Sequence, residues 1–393
     1  MSVILSLHNL TNLAHFVTAV VAATVLSGCA GRPSSPPSAA TPPTLKEAFS
    51  GAFRIGAALN PGEFDERDTV AWPLIPRQFN TISPENVLKW DYVEPRPGAF
   101  DFTVSDRYVA FGERHGMMVI GHTLVWHSQT PRWVFDGVDG KPATRDTLLA
   151  RMRAHINGVV GRYKGRIRGW DVVNEALNND GTLRQSPWLR IIGEDYIAKA
   201  FQYAHEADPS AELYYNDYDL DSASKRHGAV RLVKSLLAQG IPVAGVGLQG
   251  HYKLSWPSTA EIDSTIRAFS DLGVKVAITE LDVDVLPSWR NQPTDVGRSA
   301  ELQRTLDPYR AGLPDSLERA LARRYADIFD VYMRHRAAID RVTFWGVTDR
   351  ASWLNNYPMR GRTNYPLLFD RAGKPKPAFD AVLDVARRPS IIP

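Results

Sequence analysis

The chain predicts an α/β fold, a closed barrel of eight parallel strands, on three observations. Short β-rich apolar segments recur eight times after Leu45. Each is followed by a polar or glycine-marked loop and then by a stretch of helical spacing, the signature of a (β/α)8 barrel of the TIM type. No glycine-rich dinucleotide fingerprint follows the first segment, which leaves the doubly wound open sheet without its usual support.

In order, the segments are FRIGAAL (53–59), FNTISPEN (79–86), MVIGHTLV (118–125), GWDVVNE (169–175), ELYYNDY (212–218), GVGLQGH (245–251), KVAITELDV (275–283) and RVTFWGV (341–347). In such a barrel the chemistry sits at the C-terminal ends of the strands, so each segment's exit is a source of candidates. The second strand leads to Glu85, Asn86, Lys89 and Trp90, and the third to His122, Trp126, His127 and Gln129. The fourth ends in Asn174 and Glu175, the fifth in Asn216, Asp217 and Tyr218, and the sixth in Gln249 and His251. The seventh supplies Glu280 and Asp282, and the eighth leads through Trp345 to Trp353.

Glu175 is the most informative of these. Val172 and Val173 suit a buried parallel strand, and a carboxylate where that run stops must face water or a ligand. A solvated rim would not repeat tryptophans, whereas indole faces stack on sugar rings and amides collect their hydroxyls. Two glutamates facing one another from the fourth and seventh strands, among indoles and amides, are what acid/base hydrolysis of a glycoside requires. His251 on the sixth strand can reach Glu280 on its neighbour, and Asp282 can hold that histidine. His122 and His127 lie an odd number of residues apart, which points them to opposite faces of a strand and argues against a metal site shared with His251. Asp171 and Asp217 are expected to bond backbone or arginine at the rim, and Trp72, Trp90 and Trp133 to pack in core or rim.

A length of 393 residues with 44% hydrophobic and 23% charged content suits one large globular domain, here 45–393. The net charge of +3 is close to balance, and the arginines of 317–338 are spaced along one wet face of an amphipathic helix, so nucleic acid is not an expected partner. The first 28 residues read as a signal peptide, with the apolar run VTAVVAATVLSG at 17–28 too short for a membrane span. Leu26-Ser27-Gly28-Cys29 resembles the lipobox of bacterial lipoproteins, and Cys29 is the only cysteine. The segment before Phe16 departs from that pattern by offering only His8 and His15 as basic groups. Residues 29–44, rich in proline and serine, read as a tether. The expectation is an exported protein held to a bacterial membrane through a lipid on Cys29.

Taken together, SPENVLKWD, GHTLVWHSQ, WDVVNEAL, YYNDY, GLQGH, ITELDV and WGVTDRASW make the chain resemble the endo-1,4-β-xylanases of glycoside hydrolase family 10, from about Leu45 to about Leu383. That resemblance implies retaining hydrolysis of xylan and xylo-oligosaccharides without a cofactor, with Glu175 as general acid/base and Glu280 as nucleophile. It implies that Glu85, Asn86, Lys89, His122, Trp126, Gln129, Asn174, Gln249, His251, Trp345 and Trp353 hold sugars on the non-reducing side of the cut. Tyr218 maps toward the leaving group. A cis peptide between His122 and Thr123 is also implied, as is crowding by Gln129 and Trp353 where a hydroxymethyl group would lie. The long connection from Val285 to Pro314 resembles a longer loop found in part of the family, and following Glu280 it should overhang the site. The competing readings are a β-1,4-glucanase or exo-acting relative, and a catalytically silent glycan-binding lipoprotein.

Overall fold

A computed structural model describes residues 43–137, 140–287 and 305–388. The signal segment, Cys29 and most of the tether lie outside the described residues, as do residues 288–304 of the long connection.

Each expected strand segment forms a strand: β1 (Arg54–Leu59), β2 (Thr81–Pro84), β3 (Met118–Val125), β4 (Gly169–Asn174), β5 (Glu212–Asp217), β6 (Gly245–Leu248), β8 (Lys275–Asp284) and β9 (Ile339–Phe344). Every neighbouring pair is parallel, and β9 pairs with β1, so the sheet closes on itself as a (β/α)8 barrel. The helices between the strands surround it, so both strand faces are buried. That is why the strands read as near-continuous apolar runs rather than alternating ones.

One segment divides where the sequence suggested continuity. GVGLQGH supplies β6, breaks at Gln249 and Gly250, and resumes as β7 (His251–Lys253). Gly250 has φ of +79°, a conformation that glycine adopts without a Cβ penalty. The break re-aims the chain so that His251 pairs in register with Asp282 of β8.

A second irregularity places the fourth strand's exit. The register of β4 against β5 slips between Asp171 and Val173, after which Asn174 lies opposite Asn216. Glu175 then takes φ of +57°, with its N–H donating to the Asn216 carbonyl at 2.9 Å. The loop beyond it folds back through Gly181, against which Gly228 of the helix Ala223–Ala238 packs. A Cβ on Gly228 would lie 2.3 Å from the Gly181 oxygen, so this backbone-to-backbone approach requires glycine.

The helix Asp315–Arg334 buries Leu321, Tyr325, Ile328, Phe329 and Tyr332 along one face and leaves Arg319, Arg323 and Arg334 in water. Arg324 departs from the wet-face expectation. It is buried and donates to the carbonyls of Lys253 and Pro257, tying down the loop that follows the sixth barrel strand.

Candidate active site

The C-terminal mouth of the barrel holds a cavity of about 860 Å³. Glu175, Glu280, Asp282 and all twelve sugar-binding candidates chosen from the sequence line it. Residues from β2, β3, β4, β5, β6, β7, β8 and β9 or their following loops thus converge on one space, because parallel closure brings every strand exit to the same rim.

Glu280 lies at the centre and is 5% exposed. Its Oε1 accepts a hydrogen bond from Asn216 Nδ2 at 2.9 Å, and its Oε2 lies 3.2 Å from His251 Nε2. Burial pushes this carboxyl toward the neutral form. The hydrogen bond from His251, the fields of His122 and His251 and the Asn216 amide more than offset burial, and hold Glu280 below the usual carboxylate range. His251 Nδ1 lies 3.1 Å from Asp282 Oδ1. With a carboxylate at each ring nitrogen, both nitrogens donate, and that is possible only for the imidazolium. Burial opposes the charge, but Asp282 and then Glu280 outweigh it and raise His251 to about 10. Asp282 is pushed up by burial, and its remaining oxygen is satisfied by Trp353 Nε1 at 2.8 Å.

Glu175 is held differently. Trp126 Nε1 donates to its Oε2 at 2.9 Å and Gln249 Nε2 to its Oε1 at 3.1 Å, both neutral donors. Its backbone carbonyl accepts from Arg184 Nε at 3.0 Å. Arg184 Nη2 also donates to the Leu177 carbonyl and, at 2.8 Å, to the Tyr218 hydroxyl. One guanidinium therefore fixes the glutamate's turn and the adjoining aromatic wall together. Beneath them Asp217 and Lys225 form an ion pair at 2.8 Å with both side chains fully buried. Asp217 also accepts from the N–H groups of Leu177 and Tyr218. It thus meets the expectation of backbone bonding, with a lysine in place of an arginine.

Between the two glutamates, the Asn174 Oδ1 accepts from Asn216 Nδ2 at 3.0 Å and from Gln249 Nε2 at 3.3 Å. With its oxygen engaged, Asn174 offers its amide N–H groups to a ligand. His122 Nδ1 lies 2.9 Å from Asp171 Oδ2, and the peptide between His122 and Thr123 is cis. On the second-strand side, Lys89 Nζ donates to Asn86 and Gln129 at 3.0 and 2.8 Å and stands 4.9 Å from the centre of the Trp126 ring. Glu85 accepts from the Asn60 amide. Burial, reinforced by Glu280 and Asp282 and opposed by Lys89, raises Glu85 to about 7.

Trp90 is 2% exposed and stacks on His155 at 3.6 Å, with Trp133 edge-on to it, so these two indoles pack the rim. Sequence reasoning gave no role to Asn216, Arg184 or Asn60. Asn216 stood at a strand exit, where its neighbour Tyr218 drew the assignment. Arg184 follows Glu175 in an irregular loop that carries no periodic signal.

A closed parallel barrel whose mouth sets two carboxylates among indoles and amides is the arrangement of a glycoside hydrolase. Residues 44–385 match the model of glycosyl hydrolase family 10, and the chain belongs to that family. It is 42% identical over 342 residues to endo-1,4-beta-xylanase A of Xylanibacter ruminicola, a match covering 87% of this chain and 93% of that one. A GH10 endoxylanase retrieved from a sugarcane soil metagenome superposes with a TM-score of 0.82 at 46% identity, over 88% of this chain and 99% of that chain. A solved mutant structure in complex with xylotriose superposes with a TM-score of 0.78 at 35% identity, over 87% and 99% of the two chains.

The His251 clamp has a consequence for stability. Folding raises this imidazole from an ordinary value near 6.5 to about 10, so the folded state holds the proton more tightly than the unfolded one. The resulting stabilisation is fully present below about pH 6.5 and is lost as pH rises toward about 10. The difference in melting temperature between the wild type and His251→Asn should be widest in the acid part of this window and should narrow with rising pH. A gap that widened with pH would show that the imidazole is neutral.

Proposed function

We propose that the protein is a retaining endo-1,4-β-xylanase that cleaves internal bonds of xylan and xylo-oligosaccharides by double displacement. The observation that carries this reading is a buried Glu280, held charged by His251 and Asn216, sharing one indole-lined cavity with Glu175, whose carboxylate meets neutral donors alone. The similarity to proteins named as endo-1,4-beta-xylanases supports xylan as the substrate.

In the first step a Glu280 oxygen attacks the anomeric carbon while the bond to the leaving oxygen breaks and Glu175 gives that oxygen its proton. The product is a glycosyl ester on Glu280. In the second step Glu175, now a carboxylate, takes a proton from water. The hydroxide attacks the same carbon and releases Glu280, restoring both groups. Asn174 can bond the 2-hydroxyl of the reacting sugar, a contact that strengthens as oxocarbenium character develops.

An aryl xylobioside whose phenolate leaves without a proton separates the two roles. Glu175→Ala should form the glycosyl-enzyme, stall for want of a base, and give the β-azide when azide is added. Glu280→Ala should fail at the first step with any leaving group. On xylan the loss of acid/base function alone should cost on the order of 10²–10⁴-fold in rate. Rapid β-azide formation by Glu280→Ala but not Glu175→Ala would reverse the assignments. Hydrolysis of cellulose in preference to xylan would instead favour a glucanase.

We further propose that Cys29 carries lipid and anchors the domain through the 29–44 tether, a reading supported by the lipobox-like tetrapeptide and the lone cysteine. Acyl chains contribute about 0.8 kcal/mol per buried methylene, enough with more than one chain for stable anchoring. Cys29→Ser should move the protein from the membrane to the soluble fraction. The same distribution for both forms would refute the anchor.

A further inference from the structure

Among the described residues, the large hydrophobic side chains left substantially exposed are Tyr92 and Tyr357, and only Tyr357 lines the cavity. Tyr357 is 44% exposed, yet it is firmly held. Its ring packs against Trp353 with centroids 5.0 Å apart and planes at 32°. Its backbone carbonyl accepts from Arg362 Nη1 at 2.7 Å. The same guanidinium donates to the carbonyls of Leu306 at 3.1 Å and Pro287 at 3.4 Å, and Arg362 is 4% exposed. Arg362 is therefore a fixed clamp, and it presents a ring that is covered on the Trp353 side and open toward the cavity.

The position of this ring gives it a direction along the site. Pro287 follows β8, and Asn364 Nδ2 donates to Asp284 Oδ1 at 2.7 Å, so the segment 357–364 leans over the end of the seventh barrel strand. Trp256, in the loop after the sixth strand, lines the same cavity. Lys89 and Gln129 come from the second and third strands, across the mouth of the barrel. A chain that crosses the mouth from them past Glu280 would meet the wall that carries Tyr357.

We propose that Tyr357 is a stacking platform for a pyranose ring in the leaving-group part of the polysaccharide, beyond the sugar sites assigned above. This rests on the xylanase reading. The C–H face of a sugar is apolar and weakly positive, and it suits the negative face of a phenol ring. Because Trp353 packs against the ring and Arg362 holds the backbone beneath it, little rotamer entropy is lost when it binds.

The test is the ratio of kcat/KM on xylohexaose to kcat/KM on an aryl xylobioside, whose leaving group contains no sugar. Tyr357→Ala and Tyr357→Gln should each lower the ratio about two- to tenfold, in keeping with the loss of one aromatic contact, while Tyr357→Phe should restore it. An unchanged ratio in both truncated variants would overturn the proposal. So would an equal loss on both substrates, which would trace the effect to Trp353 and Asp282 rather than to a distal sugar. A wild-type protein inert on xylohexaose would overturn the xylanase reading itself.

Discussion

The site depends on keeping a carboxylate charged although it is almost wholly buried. Burying Glu280 favours its neutral form, and an ionised oxygen so placed survives only if positive charge and hydrogen-bond donors surround it. His251 supplies the charge, but an imidazolium between strands is itself costly and requires Asp282 on its other nitrogen. Asp282 in turn requires a donor for its free oxygen and takes it from Trp353. Each group answers the desolvation cost of the one before, and the sequence ends at an indole on the cavity wall.

The two glutamates differ through what surrounds them. Glu280 receives a cation and an amide, whereas Glu175 receives an indole N–H and an amide. A cation at hydrogen-bond distance favours the ionised form far more strongly than neutral donors do, which suits Glu280 to the nucleophile's part proposed above. Asn174, Asn216 and Gln249 join the two as a single amide network, so neither carboxylate can move without disturbing the other. Gly250, the register slip in β4 and the close approach of Gly228 to Gly181 are the backbone features that bring these side chains together.

The strands and their polar exits were legible in the sequence because a parallel barrel writes a simple code: aliphatic run, chemistry-bearing residue, loop. His251, Asp282 and the two glutamates could be read from strand exits alone. The division of the sixth segment into β6 and β7 was not legible, since Gln249 and Gly250 look like the end of an ordinary strand. Arg324 was read as solvated because its neighbours in the helix are, and only the packing of loops 253–257 against that helix turns it inward. Arg184 and Arg362 escaped for a related reason. They act by donating to main-chain carbonyls, and no residue pattern announces which carbonyls a fold will leave unpaired.

In the proposed mechanism Glu280 is the group that attacks the anomeric carbon. Trapping the covalent intermediate with a 2-fluoro xylobioside that carries a good leaving group, followed by intact-mass measurement and peptide mapping, tests that role most directly. One glycosyl adduct per chain is expected, located on the peptide that contains Glu280 and absent from the Glu280→Gln variant. An adduct on the peptide containing Glu175 would contradict it, as would a time course that ends with inverted product and no adduct.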